Sequence, residues 1–137
     1  MKKKLLIIGG SGLLAINWAC LVRDDFKVVL GLHNRIISMD EVETERVSID
    51  SIKSLQSDFN RISPEIVVNA AAITSVEDCE INFKKAKSVN TVLASNIAIV
   101  CEELKIKLVH ISSDHIFSGK DQFSSESCTP VPLNNYA

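Results

Sequence analysis

A cluster of small residues near the amino terminus has the spacing of a phosphate-binding turn. Residues 9–15 are Gly-Gly-Ser-Gly-Leu-Leu-Ala and directly follow a short apolar run. In this pattern Gly9 permits a tight turn, Gly12 lets the backbone approach a diphosphate, and the small Ala15 lets a helix pack closely on a strand. Unpaired amides at the start of the helix attract a phosphate. The pattern predicts a dinucleotide site, with a plain strand-to-helix turn as the alternative; its residues would be Gly9, Ser11, Gly12, Leu13 and Leu14.

The end of the second apolar run bears on the choice between NADP and NAD. Enzymes that prefer NAD usually carry Asp or Glu here, where the carboxylate binds ribose hydroxyls. Residues 31–35 are Gly-Leu-His-Asn-Arg and contain no acid. Arg35 offers a planar set of donors to a 2′-phosphate, and Asn34 offers a further donor. We therefore expect NADP, with NAD as the alternative cofactor and an exposed surface cation as the alternative for Arg35.

Apolar runs that alternate with helical periodicity predict the elements that position these residues. The runs lack polar alternation, as do strands covered by helices on both faces. They span residues 5–8, 28–32, 66–68 and 108–111, with a weaker strand at 46–49. Helices are expected at 13–23, after a Ser51 cap, and at 84–103. The order predicts an α/β, Rossmann-type, doubly wound parallel sheet in three layers, incomplete at the C-terminus and followed by an aperiodic tail from Ser113.

Length and composition exclude several classes of protein. A chain of 137 residues that is 46% hydrophobic with a net charge of −2 is typical of one folded domain and argues against disorder and nucleic-acid binding. The four cysteines form no Cys-x-x-Cys pair and His33 has no second ligand nearby, so we expect reduced thiols and no metal site. The apolar runs are too short for a signal peptide or a membrane helix. We expect a cytoplasmic protein without a membrane partner.

Six segments in a fixed order carry a resemblance to a known family. They are the glycine turn and residues 47–50, 67–78, 89–90, 109–119 and 130–136. On these segments the chain resembles the extended short-chain dehydrogenase/reductases and, within them, the dTDP-4-dehydrorhamnose reductase group. The resemblance implies NAD(P)H-dependent reduction of a nucleotide-linked keto-deoxysugar. It also implies that a small-molecule nucleotide sugar is the substrate.

The resemblance also implies cofactor contacts beyond the glycine turn. Asp50 would lie beside the adenine ring, although it could also cap the following helix, and Ser51 is a further predicted cofactor-binding residue. Small side chains after the third long apolar run would leave room for the ribose and nicotinamide, whereas periodicity alone predicts the first turn of a helix there; these are Ala70, Ala71 and Ala72. Thr74 would contact cofactor or substrate. Asn90 would support the long helix beside the site, its alternative being an ordinary polar helix residue.

Two residues match the catalytic pair of the family. Ser113 would donate a hydrogen bond to the substrate carbonyl oxygen, and Tyr136, the only tyrosine, would give that oxygen a proton. A free phenol has a pKa near ~10, so a neighbouring cation is needed at neutral pH. The family places a lysine four residues after this tyrosine, and that position lies beyond Ala137. His115 and Ala15 also depart from the family, which usually has tyrosine and glycine there.

We therefore expect residues 1–137 to be the NAD(P)-binding domain of an enzyme about twice as long, with the substrate-binding domain following. Two other functions stay open on the sequence. One is a nucleotide-sugar epimerase or dehydratase of the same superfamily, and the other is a non-catalytic NADP-binding regulatory subunit. The unpaired edge beyond the last strand makes self-association a predicted liability, so a homo-oligomer is an open alternative to a monomer.

Overall fold

Strands and helices alternate along the chain in the computed structural model, which describes residues 1–120 and 123–137. The strands are β1 (Lys4–Ile8), β2 (Lys27–Leu32), β3 (Glu43–Arg46), β4 (Ile66–Asn69) and β5 (Lys107–His110). They form one parallel sheet in the order β3-β2-β1-β4-β5. This is the Rossmann strand order, so the predicted fold class is confirmed. The order reverses at β1, and a ligand crevice is expected outside the carboxyl ends of β1 and β4.

The helices follow the expected order with one addition and one change of type. They are α1 (Leu13–Val22), α2 (Ile52–Ile62), α3 (Val76–Ile81), α4 (Phe83–Ala86), a π-helical segment (Lys87–Leu93) and α5 (Ala94–Glu103). The helix expected at 84–103 is thus interrupted by seven residues of π-helix. The short helix α3 was not predicted, although its signals are present. Ser75 caps it by accepting from the Asp78 amide at 3.1 Å, and acidic residues occupy its first turn.

Two apolar cores lie on opposite faces of the sheet. Side chains alternate along a strand, so Leu6 and Ile8 of β1 pack on one face with α2 and α5. Leu5 and Ile7 pack on the other face with α1. The largest fully buried side chain is that of Phe59, which α2 contributes to the first core. Burial on both faces explains why β1 is a continuous apolar run rather than an alternating one.

The third strand is displaced from its predicted position. The apolar pattern predicts residues 46–49, whereas β3 pairs with β2 through Glu43–Arg46. This strand lies at the edge of the sheet and is largely exposed, so its polar sequence carries no apolar signal. Val47 follows the strand, is buried, and donates its amide to Leu32 O at 2.8 Å. The apolar residues therefore mark the return of the chain to the core rather than the strand itself.

The tail after β5 folds back on the domain. A single 3₁₀ turn, Asp114–Ile116, interrupts the predicted aperiodic segment. The Val131 amide donates to Ile116 O at 2.8 Å and holds the returning chain. β5 pairs with β4 along one edge, and Val109 and Ile111 are exposed at this side of the sheet.

The four cysteines are free thiols. Burial raises the pKa of the Cys101 thiol to about 11. Burial, followed by the charges of Asp78 and Glu80, raises the pKa of the Cys79 thiol. Both groups are protonated at neutral pH and are weak nucleophiles. Within residues 1–120 and 123–137, no helix is long and apolar enough to cross a bilayer, and no group of three or more His, Cys, Asp or Glu residues is placed to hold a metal ion.

Two phenylalanines provide a test of the core. Phe59 is 1% exposed and Phe83, at the start of α4, is 49% exposed. Phe59→Ala should lower the free energy of unfolding by about 3–5 kcal/mol, because it removes a large buried side chain and leaves a cavity. Phe83→Ala should change it by about 1 kcal/mol or less. Urea unfolding followed by circular dichroism measures both, and equal losses would contradict the assignment of Phe59 to the core.

Candidate nucleotide-binding and catalytic site

The glycine turn lies between β1 and α1 and packs against the loop that leaves β4. Gly9 has a φ of +82°, a left-handed conformation that favours glycine. A β-carbon at Gly9 would stand 2.8 Å from the Ala71 nitrogen, and one at Gly12 would stand 3.1 Å from Gly9 O. The first distance is too short for any side chain. The turn therefore keeps its close contact with the β4 loop because residue 9 has no side chain.

The amides of the turn divide into two groups. Gly10 donates to Gly31 O at 3.0 Å and Gly12 donates to Gly9 O at 2.9 Å, so these amides stabilise the turn itself. Among the residues that the structure describes, no acceptor pairs with the amides of Ser11, Leu13 and Leu14. Helix α1 also begins without a side-chain cap or an acidic first turn. Free amides at the positive end of a helix attract an anion.

A cavity of about 350 Å³ opens at the carboxyl ends of β1, β2 and β4. Most of the residues predicted to bind the cofactor line it: Gly9, Ser11, Gly12, Asn34, Arg35, Ala70, Ala71 and Ala72. Leu13 and Leu14 do not line the cavity, and their side chains are exposed. The cavity lies where ligands of open parallel sheets bind, at the point of strand reversal.

Sequence reasoning missed the apolar part of the wall. The cavity is also lined by His33, Val47, Ile49, Val89 and Leu93. His33 directly follows β2 and is half-buried. The apolar side chains come from the segment after β3 and from the π-helical segment, which periodicity assigned to the core. A flat, apolar wall of this kind suits a base or a nicotinamide ring.

Arg35 is the cation at the mouth of this cavity. Its side chain is exposed, and it takes no part in the ion pairs of residues 1–120 and 123–137. Arg61 is engaged with Glu45 and Asp58, and these hydrogen bonds raise the pKa of its guanidinium. The guanidinium of Arg35 is thus available for an anionic ligand, and its contact with a 2′-phosphate stays a prediction.

Besides Leu13 and Leu14, three predicted cofactor residues lie outside the walls of the two cavities described here. Ser51 caps α2, with the Ser54 amide donating to its Oγ at 3.1 Å. Asp50, offered as an alternative cap, instead accepts from Ser48 Oγ at 3.0 Å. Thr74 is exposed in the loop after β4. Contacts of these three residues with a cofactor stay predictions.

The loop after β4 is held by two asparagine side chains. Periodicity alone predicts the first turn of a helix in this loop. That prediction is wrong, because residues 70–75 are non-helical and α3 begins at Val76. Asn90, in the π-helical segment, accepts from the Ile73 amide at 2.8 Å and donates to Ile73 O at 3.0 Å. Asn69 accepts from the Ala71 amide at 3.1 Å. Asn90 therefore supports the site by fixing this loop, and π-helical segments often occur at such positions.

Ser113 and Tyr136 line a second, smaller cavity of about 130 Å³. It shares Ala71 and Ala72 with the first cavity, so the two adjoin at the β4 loop. Ser113 Oγ accepts from the His115 amide at 3.2 Å, which leaves its hydroxyl hydrogen free to donate. The rings of His115 and Tyr136 meet edge to face, with centroids 5.3 Å apart and planes at 83°. Ser113 and Tyr136, the predicted catalytic pair, thus line one cavity beside the first.

His110 is a third polar residue of this cavity, and sequence reasoning did not single it out. Asn69 is fully buried, and its Nδ2 lies 3.1 Å from Nδ1 of His110, its neighbour across β4 and β5. Since Asn69 Oδ1 already accepts from Ala71, Nδ2 must donate and His110 Nδ1 must accept. A neutral His110 therefore carries its hydrogen on Nε2.

Residues 2–137 match the family described as "RmlD substrate binding domain". The chain belongs to this family. A dTDP-4-keto-6-deoxy-D-glucose reductase of Streptomyces niveus is 29% identical over 140 residues, which cover 99% of this chain and 44% of that protein. A probable low-salt glycan biosynthesis reductase of Haloferax volcanii is 28% identical over 131 residues, covering 95% and 44%. The resemblance to dTDP-4-dehydrorhamnose reductases is confirmed.

Solved structures support the same relation. A hypothetical dTDP-4-dehydrorhamnose reductase from Sulfolobus tokodaii superposes with a TM-score of 0.87 at 28% identity, covering 99% of this chain and 48% of that one. The Bacillus anthracis dTDP-4-dehydrorhamnose reductase, solved in complex with NADP, gives 0.82 at 26% identity, with 99% and 45% covered. The chain thus spans less than half the length of each relative described.

The contact of Asn90 with the β4 loop can be tested by substitution. Asn90→Leu should lower the free energy of unfolding by about 1–3 kcal/mol, because it leaves the amide and carbonyl of Ile73 without their partner. The free energy of opening, measured by hydrogen exchange at the Ile73 amide, should fall by a similar amount. Asn96→Leu, in α5, is the matched control and should leave that amide unchanged. Unaltered exchange at Ile73 in Asn90→Leu would contradict the role of Asn90.

Proposed function

We propose that this chain binds NADPH and forms the cofactor half of a reductase that acts on a nucleotide-linked keto-deoxysugar. The observation that carries the proposal is the adjacency of two cavities. The cavity beside the glycine turn meets the cavity of Ser113 and Tyr136 at Ala71 and Ala72. A cofactor in the first cavity would therefore present its reactive end to a substrate in the second. Family membership and the complex of the Bacillus anthracis relative with NADP support the same assignment.

The residues of the first cavity fit a dinucleotide phosphate. The free amides of Ser11, Leu13 and Leu14 would bind the diphosphate, and the missing side chain of Gly12 lets it approach the backbone. Arg35 and Asn34 would bind the 2′-phosphate. The alanines of the β4 loop leave room for the ribose and nicotinamide. When bound, the nicotinamide supplies a hydride to a carbonyl carbon.

The residues of the second cavity would orient the substrate carbonyl and supply the proton that its oxygen receives. Ser113 donates a hydrogen bond to the carbonyl oxygen and orients it. Tyr136 donates its phenolic hydrogen to the same oxygen as the carbon is reduced, and the phenolate then recovers a proton from solvent. The balance is one hydride at carbon and one proton at oxygen, which converts a ketone to an alcohol. The family places a lysine four residues after the tyrosine, where its charge would stabilise the phenolate.

The sugar nucleotide would be bound mainly outside residues 1–137. The Streptomyces niveus relative reduces, by its name, a dTDP-4-keto-6-deoxy-D-glucose, and this chain spans 44% of that protein. We propose the same substrate class here, with the domain that binds it following residue 137. Domain 1–137 would then contribute the cofactor, the hydroxyl of Ser113 and the phenol of Tyr136.

Arg35 should determine the preference for NADPH. A hydrogen bond to a charged group contributes about 1.5–3 kcal/mol, so Arg35→Gln should raise the Kd for NADPH by about 10- to 150-fold and leave the Kd for NADH within about twofold. Arg23→Gln removes a guanidinium beyond the carboxyl end of α1, away from the cofactor cavity, and should alter neither. Titration followed by nicotinamide fluorescence measures both constants. Equal losses for the two cofactors would mean that Arg35 does not bind the 2′-phosphate.

Tyr136→Phe tests the proposed reaction. In the natural full-length protein, this substitution should lower kcat for NADPH oxidation with a keto-deoxysugar nucleotide by about 100-fold or more, because the general acid is lost. The Kd for NADPH should stay within about twofold, since the phenol does not line the first cavity. Full turnover in the variant would refute the acid role. Wild-type turnover without net NADPH consumption would instead favour an epimerase or dehydratase.

A further inference from the structure

A glutamate on α3 holds the residue that precedes Tyr136. The Glu80 carboxylate accepts two hydrogen bonds from Asn135, one from the backbone amide and one from the side-chain Nδ2, each 2.7 Å long. The two residues are 55 positions apart in the chain. Two short bonds to one carboxylate define both the distance and the orientation of the tail at this point.

The backbone around Tyr136 is fixed from a second side. Asn134 Oδ1 accepts from the Tyr136 amide at 3.1 Å and from the Ala137 amide at 3.0 Å. Three successive amides, those of residues 135–137, therefore have side-chain acceptors, as at the start of a helical turn. Glu80 supplies the first of these acceptors, and it is the one that comes from outside the tail.

We propose that Glu80 is a positioning residue for Tyr136. Helix α3 directly follows the β4 loop, whose Ala71 and Ala72 separate the two cavities and whose Ile73 is held by Asn90. Through Glu80, helix α3 also holds the tail that carries the phenol. The wall shared by the two cavities and the proton donor are thereby held in a fixed relative position. The inference rests on the proposed role of Tyr136 as the proton donor.

The phenol ring needs this restraint because little else holds the end of the tail. His115 contacts the ring edge to face, and the anchor before it is the Val131 amide on Ile116 O. A ring contact restricts the side chain but does not set the backbone that carries it. Loss of the Glu80 contact should therefore free residues 135–137 while leaving the sheet and the cofactor cavity intact.

Two substitutions at position 80 make the proposal testable. Glu80→Leu removes both acceptors and leaves the backbone amide and Nδ2 of Asn135 without their partner. Glu80→Gln keeps one oxygen for the backbone amide, and its NH₂ can donate to Asn135 Oδ1 once the Asn135 side-chain amide rotates by 180°. Glu80→Gln should therefore retain what Glu80→Leu loses.

The first readout is spectroscopic. Tyr136 is the only tyrosine of residues 1–137, so ring-labelled tyrosine gives a single-site NMR signal in this chain. Glu80→Leu should shift this signal and accelerate amide exchange at residues 135–137 by about tenfold or more. Glu80→Gln should keep both values close to wild type. Glu126→Leu replaces an exposed glutamate in the same tail and should change neither. An unchanged Tyr136 signal and unchanged exchange in Glu80→Leu would overturn the proposal.

The second readout separates positioning from general stability. In the natural full-length protein, Glu80→Leu should lower kcat by about tenfold with the KM for NADPH within about twofold, and Glu80→Gln should retain most of kcat. A disturbed Tyr136 signal with an unchanged kcat would overturn the positioning role. Full turnover in Tyr136→Phe would instead refute the proposed function, and the NMR comparison would still show whether Glu80 orders the tail.

Discussion

The site depends on one close approach of two backbones. The turn after β1 lies against the loop after β4, with no space for a β-carbon between Gly9 and Ala71. Because residue 9 has no side chain, the two loops can lie in contact, and both contribute residues to the wall of the first cavity. The small side chains on the β4 loop then form a wall shared by two cavities. Any bulk at this contact would separate the loops and remove the geometry that both cavities require.

Polar side chains hold the loops around that contact. Asn69 fixes Ala71 from within the sheet, and Asn90 fixes both the amide and the carbonyl of Ile73. Each such hydrogen bond contributes only about 0.5–1.5 kcal/mol net, yet an unpaired buried group would cost more. The side-chain amides of Asn69 and Asn90 therefore specify the position of the loop more than they stabilise the fold. The apolar cores on the two faces of the sheet supply most of the stability.

Sequence patterns predicted the elements best where local signals and burial agree. β1 and β2 lie in continuous apolar runs because helices cover both faces of the sheet. The predicted position of β3 lies too far towards the carboxyl terminus. An exposed edge strand has no apolar pattern, and the apolar Val47 belongs to the core beyond the strand. The apolar periodicity does not predict the short helix α3, although Ser75 marks its start. The π-helical segment could not be predicted, since its apolar spacing still matches an α-helix over a few turns.

The sequence by itself determined the alternating fold, the glycine turn and the absence of an acid after β2, and family resemblance predicts that Ser113 and Tyr136 act as a pair. These depend on residues close together in the chain or on a family pattern. Only the tertiary structure decided which amides of the turn are free, that His33 and Leu93 line the first cavity, and that Glu80 meets Asn135. Such contacts join residues from distant segments, and their partners are set by the packing of the sheet and helices rather than by local spacing.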